Sequence, residues 1–408
     1  MRDDYHRTTW ACYLSYMVQA VVNNLPPLLF LTFQKKYGIS LGQLGLLIVL
    51  NFGVQISVDL LAGKLAEKWG YRATMIFGHA CAAVGLLCMG LLPSRFGLYG
   101  LIIAMVLDSV GGGVVEVLVS PIVQAIPDDS AKNSALSMLH SFYCWGTVAV
   151  ILVTTVLYGF VGLDGWHLIP YVWIVLPLLC IIFFSKCPIA PLIKAGEKGM
   201  TTKELLHSPL FWVLALMMSF ASCSELSMSQ WASYFAESGL GVSKQFGDLL
   251  GPCLFAFLMG LVRFFYGKHG GRISLLRLIS ASSVVCLLGY LLASLARSPI
   301  LALFGCAICG PAVALFWPGT FSLASDHLPL GGTRMFALLA FFGDAGCAIG
   351  PEVVSLVSQG SGDLRSGLLL SSVFPVCMGI LTLALPVISR RDSSHRTRRS
   401  QDRLPHRQ

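Results

Sequence analysis

The chain has 408 residues, of which 55% are hydrophobic and only 12% charged, and its formal net charge is +8. A soluble protein of this size carries roughly a quarter charged residues, so the composition excludes an ordinary soluble enzyme or binding domain. We therefore expect an integral protein of the plasma (inner) membrane, in contact with the lipid bilayer along most of its length.

Twelve apolar segments follow one another along the chain, each long enough for a membrane-spanning helix of about 20 residues. We number them spans 1 to 12 and predict them at residues 9–33, 42–62, 75–93, 97–126, 134–161, 165–185, 208–236, 245–266, 275–296, 298–322, 334–358 and 364–388. The predicted fold class is an all-α membrane protein with twelve transmembrane helices in two pseudo-symmetric six-helix bundles.

Lys and Arg are distributed very unevenly between the two ends of these spans. An even number of spans brings both termini to one face, and 22 of the 28 Lys and Arg residues fall on that face. Because basic residues accumulate on the cytoplasmic side of membrane proteins, we predict that both termini are cytoplasmic. We call the face that carries the termini the inner end and the opposite face the outer end.

A short basic turn recurs at half the chain length. Lys68, Gly70 and Arg72 between spans 2 and 3 return as Lys268, Gly270 and Arg272, each 200 residues later. Parallel repeats of this kind are typical of secondary transporters. We predict an N-terminal six-helix bundle at 1–186, a linker at 187–207, a C-terminal bundle at 208–388 and a basic tail at 389–408, which is expected to contact anionic lipid and no nucleic acid.

Carboxylates inside the spans are the first functional candidates, because ionisable groups are costly within a membrane. Glu116 in span 4 and Glu225 in span 7 are the predicted proton-coupling residues. The interior of the spans contains almost no Lys or Arg, so we expect these carboxylates to lack a cationic partner, and burial without a partner favours the protonated form. A protonated Glu116 that only hydrogen-bonds a neighbouring helix is the structural alternative.

Polar and aromatic side chains within the spans form the predicted substrate site. Aromatic rings beside amides and hydroxyls suit a sugar, since the ring packs on C–H groups and the polar atoms bind hydroxyls. The predicted substrate-binding residues are Asn23, Asn24, Gln55, Gln124, His140, Tyr143, Gln230, Trp231, Trp317 and Asp344. For His140, a proton relay and a neutral hydrogen-bonding role are equal alternatives. Spans 1, 4, 5, 7, 10 and 11 are expected to line a central cavity.

A third set of residues is predicted to act in gating. Asp59, near the inner end of span 2, is expected to contact either span 11 or the substrate. Arg263, near the inner end of span 8, is expected to pair with a carboxylate across the gate or to serve as a basic anchor at the membrane surface. The complete gating set is Asp59, Gly63, Glu67, Gly70, Arg72, Arg263, Gly270 and Arg272.

Two stretches resemble a known family. Residues 63–72, Gly-Lys-Leu-Ala-Glu-Lys-Trp-Gly-Tyr-Arg, resemble the loop between helices 2 and 3 of the major facilitator superfamily. Residues 111–146 resemble its fucose permease branch, with a Gly-rich run, a glutamate at Glu116 and Ser120-Pro121 in place of Asn-Pro. The resemblance implies proton-coupled sugar uptake that uses Glu116, although Pro27 stands where that branch has a second carboxylate.

The sequence thus predicts a monomeric transporter that takes up a small neutral sugar or polyol together with a proton, without a cofactor or metal. No nucleotide-binding loop, metal-ligand spacing or nucleophile–base pair is evident, so an enzyme is not expected. The alternatives are a sodium-coupled sugar symporter and a proton-antiport exporter of hydrophobic compounds.

Overall fold

A computed structural model describes residues 2–126, 132–189, 200–269, 274–328 and 330–401. Within these ranges the chain is almost entirely helical and contains no β-strand. The spanning helices are Arg2–Leu28 with Phe30–Tyr37, Leu41–Trp69, Tyr71–Leu91, Leu98–Ala125, Lys132–Gly165, Ile169–Trp173 with Val175–Lys186, Pro209–Ser229 with Ala232–Tyr234, Lys244–Asp248 with Leu254–His269, Leu275–Leu295, Pro299–Val313 with Phe316–His327, Gly332–Ser361, and Leu364–Ser371 with Val373–Gln401.

Twelve membrane crossings account for this helix set. Among the residues that the structure describes, ten apolar helical stretches are long enough to cross a bilayer, and the bent pair Tyr5–Leu28 and Phe30–Tyr37 forms an eleventh. The stretch Leu139–Lys186 has 48 residues, roughly twice the length of one crossing. Its helix is interrupted at Gly162, where φ is +63°. The stretch therefore contains spans 5 and 6, and the predicted fold class is confirmed.

Prolines bend several spans at predictable positions. Pro26 and Pro27 lie just before the break at Leu29, where the two parts of span 1 meet at 46°. A proline pair produces such a kink because its rings clash with the preceding turn and remove amide donors. In span 10 the helix is interrupted after Val313, one turn before Pro318.

Three consecutive glycines let span 4 pack against several neighbours. A Cβ atom on Gly111 would meet the backbone of span 3 at Gly78, and one on Gly113 would lie 3.1 Å from the Cα atom of Gln55 in span 2. Gly112 faces the Gln19 amide of span 1. Small residues allow helices to approach closely in lipid, where packing replaces the hydrophobic drive. The triplet thus sets the position of Glu116, one turn farther along span 4.

Two helix pairs connect the first six spans to the last six. Span 2 packs along span 11, and span 5 packs along span 8. In the first pair Gly42 lies against Gln359 and Gly45 against Ser355, so the two helices run antiparallel with a fixed register. In the second pair Trp145 packs edge-on against Phe257, and Thr155 bonds Asp248.

The linker and the basic tail both contain helical structure that the predicted spans do not include. The linker contains a short helix, Thr202–Leu206, which begins with a capping box between Thr201 and Glu204. The last helix continues to Gln401 and does not end near residue 388. The basic residues beyond 388 therefore extend span 12 by several turns.

Candidate functional site

A chain of amide side chains crosses the centre of the first six spans. Ser109 donates to Asn51 over 2.6 Å, and Asn51 and Gln55 both donate to the Asn23 side-chain oxygen over 3.0 Å. Gln19 in turn donates to Gln55 over 2.7 Å. Spans 1, 2 and 4 are therefore linked by a buried polar network, and buried networks of this kind persist because unpaired polar groups are costly.

Glu116 lies at one end of this chain. Its Oε2 atom accepts a hydrogen bond of 2.7 Å from the Gln19 amide, which also donates to Gln55. The Gln19 oxygen is buried without a partner. No Lys or Arg side chain is seen to pair with Glu116 in the described part of the chain. Glu116 thus sits in an uncharged amide environment that can accommodate either protonation state.

Two further carboxyl groups lie near Glu116. Asp59 of span 2 and Asp344 of span 11 face each other, and both interact electrostatically with Glu116. Both oxygens of Asp59 and the Oδ2 atom of Asp344 are buried without a hydrogen-bond donor. Of the two contacts predicted for Asp59, the structure therefore places it beside span 11.

Glu225 does not lack a cationic partner. Its Oε2 atom lies 3.3 Å from the guanidinium of Arg263, and both side chains are largely buried. The guanidinium also donates to the Ala314 carbonyl oxygen over 3.0 Å, a group that Pro318 frees from the helix four residues later. The expectation that the span carboxylates lack a cationic partner is wrong at this position, because span 8 continues as a helix to His269 and carries Arg263 into the protein.

Arg263 is accordingly not a surface anchor. Its third contact is the Cys144 sulfur of span 5, at 3.3 Å. The ion pair with Glu225 joins spans 7 and 8 within the C-terminal set of helices, whereas the contact with Cys144 reaches the N-terminal set. His140, one turn before Cys144, packs edge-on against Tyr16 at a ring distance of 5.3 Å.

A small cavity of about 20 Å³ lies beside Glu225, large enough for about one water molecule. Asn24, Tyr143 and Thr147 form one wall, and Glu225 and Ser229 form the other. The lining comes from spans 1, 5, 7 and 8 and so differs from the expected set, because span 8 contributes where spans 4, 10 and 11 do not. A hexose needs a far larger space, so the two halves are closed around this region.

The predicted residues of span 7 lie in the seam between the halves. Gln230 donates to the Asn23 backbone oxygen over 3.1 Å. The Trp231 indole donates to the Pro351 carbonyl oxygen over 3.0 Å and packs against Phe30 of span 1. Trp317 of span 10 packs against Gly343 and Phe321. In the closed form Gln230 and Trp231 therefore contact span 1 of the other half, whereas Trp317 packs within its own half.

The outer end contains a buried lysine that lies one residue before the predicted start of span 8. Lys244 is buried at the start of span 8 and lies 3.0 Å from Asp248 and 3.3 Å from Glu237. Its ammonium donates to the Leu28 carbonyl oxygen of span 1 over 2.6 Å and lies over the Tyr158 ring. Asp248 accepts from Thr155 of span 5. The i, i+4 spacing of Lys244 and Asp248 in the sequence could have indicated this ion pair.

The basic turn after span 2 is partly described. Arg72 donates to the carbonyl oxygens of Ser185 and Cys187, over 2.7 and 2.9 Å, and so binds the inner end of span 6. Gly70 has a positive φ of +85° between two helices. The surroundings of Gly63, the side chains of Glu67 and Gln124, and the residues Gly270 and Arg272 lie outside the described set.

Solved structures share this fold. The chain aligns over 94% of its length with a D-xylose–proton symporter at a TM-score of 0.78 and 13% identity, covering 97% of that chain. It aligns over the same share with the Escherichia coli fucose–proton symporter at a TM-score of 0.68 and 15% identity, covering 99% of that chain. At these identities the likeness concerns the fold.

Sequence relatives are transport proteins as well. An uncharacterized MFS-type transporter of Yersinia pestis is 24% identical over 337 residues, covering 79% of this chain and 82% of the relative. The multidrug efflux pump PmrA of Streptococcus pneumoniae is 26% identical over 324 residues, covering 75% and 79%. The family model described as Major Facilitator Superfamily matches residues 12–351. With twelve spans, the repeated basic turn and this match, the chain belongs to the major facilitator superfamily of membrane transporters.

Proposed function

We propose that the protein takes up a small neutral, hydroxyl-rich molecule, a sugar or polyol, together with a proton, by alternating access between its two halves. The observation that carries the proposal is Glu116, a partly buried carboxyl group whose described hydrogen-bonding partner is the Gln19 amide. A carboxyl group that alternates between its ionised and protonated forms needs a partner that can bind both. An amide meets this need because it offers both a donor and an acceptor.

Protonation of Glu116 would be transmitted through the amide chain. The ionised carboxylate accepts from the Gln19 nitrogen, whereas a protonated Glu116 would donate to the Gln19 oxygen after the amide turns over. That oxygen has no other partner, and the turn would remove the donor that Gln55 now accepts. Gln55 in turn donates to Asn23, whose backbone oxygen accepts from Gln230 of the other half.

The composition of the centre supports a neutral, polar substrate. Asn23, Gln55 and Gln230 offer donors and acceptors without net charge, and Asn24, Tyr143 and Thr147 surround the small cavity. Glu225 in the cavity wall forms an ion pair with Arg263, which neutralises the charge of that cation. An anionic substrate would have to displace this carboxylate, whereas a neutral polyol would exchange hydrogen bonds when the halves part.

The same scheme assigns roles to the remaining parts of the chain. The bundles at 1–186 and 208–388 would rock about the seams formed by spans 2 and 11 and by spans 5 and 8. Both termini would lie in the cytoplasm, and one chain would suffice for transport. Glu225 would contribute to coupling only when its ion pair with Arg263 opens.

Export of hydrophobic compounds by proton antiport is the second candidate. It is favoured by the similarity to a multidrug efflux pump over 324 residues. In that case the carboxylates Glu116, Asp59 and Asp344 within the spans would attract a lipophilic cation, and the amide chain would have only a structural role.

Transport into proteoliposomes separates these candidates. Radiolabelled monosaccharides and polyols are offered under an inward proton gradient, an inward sodium gradient or neither. Accumulation of one of them under the proton gradient alone supports the proposal. Accumulation under the sodium gradient alone would show that sodium, and not the proton, is the coupling ion. If none accumulates while tetraphenylphosphonium moves against its gradient in exchange for protons, the exporter is the correct assignment.

A further inference from the structure

We infer that Asp59 and Asp344 form a proton-binding pair across the two halves, and that one proton shared by the pair is required for spans 2 and 11 to close at the inner end. The site is distinct from Glu116 and Glu225, and its ligand is a proton. The inference concerns the closure of the protein and holds for any substrate.

The register of the two helices brings the carboxyl groups together. Gly42 packs against Gln359 and Gly45 against Ser355 at the outer end of this antiparallel pair. Following both helices inward from these contacts leads to Asp59 on span 2 and Asp344 on span 11, whose side chains face each other. One member belongs to each half, so the contact exists only while the halves are closed there.

The hydrogen bonding of the pair is incomplete without a proton. Asp344 is only 1% exposed and its Oδ2 atom has no donor, and neither oxygen of Asp59 has one. Two ionised carboxylates offer acceptors only, so they repel each other and leave these buried oxygens unpaired. A single proton placed between them joins one oxygen of each group in a hydrogen bond and removes one of the two charges.

The surroundings do not offer a cation in its place. The titratable groups that interact electrostatically with the pair are Glu116 of span 4 and the Cys347 thiol of span 11. The Cys347 thiol also interacts with Glu225 of span 7. Glu116 is a third carboxyl group and increases the repulsion when ionised. Among the side chains that the structure describes here, neither Lys nor Arg contacts Asp59 or Asp344.

Hydrogen–deuterium exchange of the full-length protein in lipid nanodiscs tests the inference. Peptides from residues 52–69 and 335–350 are followed between pH 5.5 and 8.5, with correction for intrinsic exchange. If closure requires one proton, the protection factor of these peptides should fall as the pH rises, by up to about tenfold per pH unit. In Asp344→Asn the new amide donates to Asp59 without a proton, so these peptides should stay protected throughout the range.

Matched variants locate the proton. Asp108→Asn alters a buried carboxyl group of span 4 that lies against span 3, away from the seam, and should keep the wild-type transition. Glu116→Gln should keep a transition as well, because Glu116 lies beside the pair and does not hold the shared proton. The inference is overturned if the wild type shows no pH dependence, if Asp344→Asn retains the wild-type transition, or if Glu116→Gln alone removes it. The last result would place the proton on Glu116 and would leave the proposed coupling role intact.

Discussion

At the scale of single residues, Arg263 holds together parts of four spans. Its guanidinium binds Glu225, the free carbonyl of Ala314 and the sulfur of Cys144. A planar guanidinium with five donors can serve several acceptors at fixed angles, which a lysine cannot do. One of its predicted functions, a pair with a carboxylate, is present, but the partner Glu225 lies in the same half. The contacts with Ala314 and Cys144 were not predicted.

Removal of Arg263 should destabilise the protein strongly. Arg263→Met leaves the Glu225 carboxylate buried without a partner, and breaking a buried pair in this way costs about 3–5 kcal/mol. The double variant Arg263→Met with Glu225→Gln removes both charges and should recover much of the loss. Thermal unfolding in detergent checks both variants, and a single variant as stable as the wild type would contradict this role.

How far residues were predictable depended on whether their partners were local. Asn51 and Gln55 lie four residues apart in span 2, so their position on one polar face was readable from spacing. Their shared contact with Asn23 of span 1 was not, because it depends on how the two helices pack. The ion pair between Glu225 and Arg263 was not, because it depends on how spans 7 and 8 pack. Lys244 was missed because a charge at the end of an apolar segment is normally assigned to a loop.

At the scale of helices, glycine position decides which spans can approach. Gly113 lies where span 4 crosses span 2, and a Cβ atom there would lie 2.9 Å from that of Val58. Gly53, on span 2, has no atom within 4 Å of such a Cβ. The two positions therefore form a matched pair for the same substitution.

Gly113→Ala should lower the stability of the protein, whereas Gly53→Ala should not. Overpacking of a close helix contact costs about 1–3 kcal/mol, while an unhindered Gly→Ala change within a helix gains about 0.5–1 kcal/mol. The temperature at which each purified variant loses its monodisperse peak on size-exclusion chromatography measures the difference. Equal effects at both positions would mean that the crossing of spans 2 and 4 is looser than described.

The outer end of span 8 provides the corresponding contact between the halves. Lys244 and Asp248 bind Leu28 of span 1 and Thr155 of span 5, and Tyr234 donates to Gln34 over 2.8 Å. A buried cation that neutralises two carboxylates and also reaches the opposite half favours a closed outer end.

Lys244→Met should open the outer end. The substitution leaves Asp248 and Glu237 buried without their cation, which disfavours the closed arrangement. Hydroxyl-radical footprinting detects the change, because Trp231 is fully buried against Phe30, two residues after Leu28, and should become oxidised. Lys36→Met is the control, since Lys36 and Asp164 form an exposed pair at the same end that contributes little. Equal oxidation of Trp231 in both variants would exclude a locking role for Lys244.

Helices were the most predictable level of the structure. Each predicted span has a counterpart, because about 20 apolar residues bounded by turn residues leave few alternatives in a membrane. The break in span 1 followed from its proline pair. The extension of span 12 to Gln401 was not foreseen, because the hydropathy of the segment ends near residue 388.

At the scale of the whole molecule, the distribution of basic residues fixes the expected orientation. With 22 of 28 Lys and Arg on one face, both termini should be cytoplasmic. A fluorescent protein fused to the C-terminus should therefore fluoresce in the cytoplasm, whereas alkaline phosphatase fused at the same point should be inactive. The opposite pair of results would invert the topology.

The fold was predictable at this scale, whereas the closed centre was not. Composition and the repeat of the basic turn indicated two similar halves of six spans. The sequence also suggested a cavity lined by six spans, but the polar side chains instead bind one another and leave a space of about 20 Å³. Which side chains face each other across the seams depends on the conformation, and no periodicity in the sequence encodes that choice.

The central claim is that a proton on Glu116 couples the gradient to substrate movement, and one comparison tests it most directly. Wild type, Glu116→Gln and the control Asp108→Asn are reconstituted into proteoliposomes. For the sugar identified in the uptake panel, exchange and accumulation are measured separately. Accumulation is driven by a gradient of about one pH unit, which sustains about tenfold accumulation for one proton per sugar. We predict that Glu116→Gln retains exchange but accumulates no sugar, while the control behaves as the wild type. Accumulation by Glu116→Gln at the wild-type level would contradict the account.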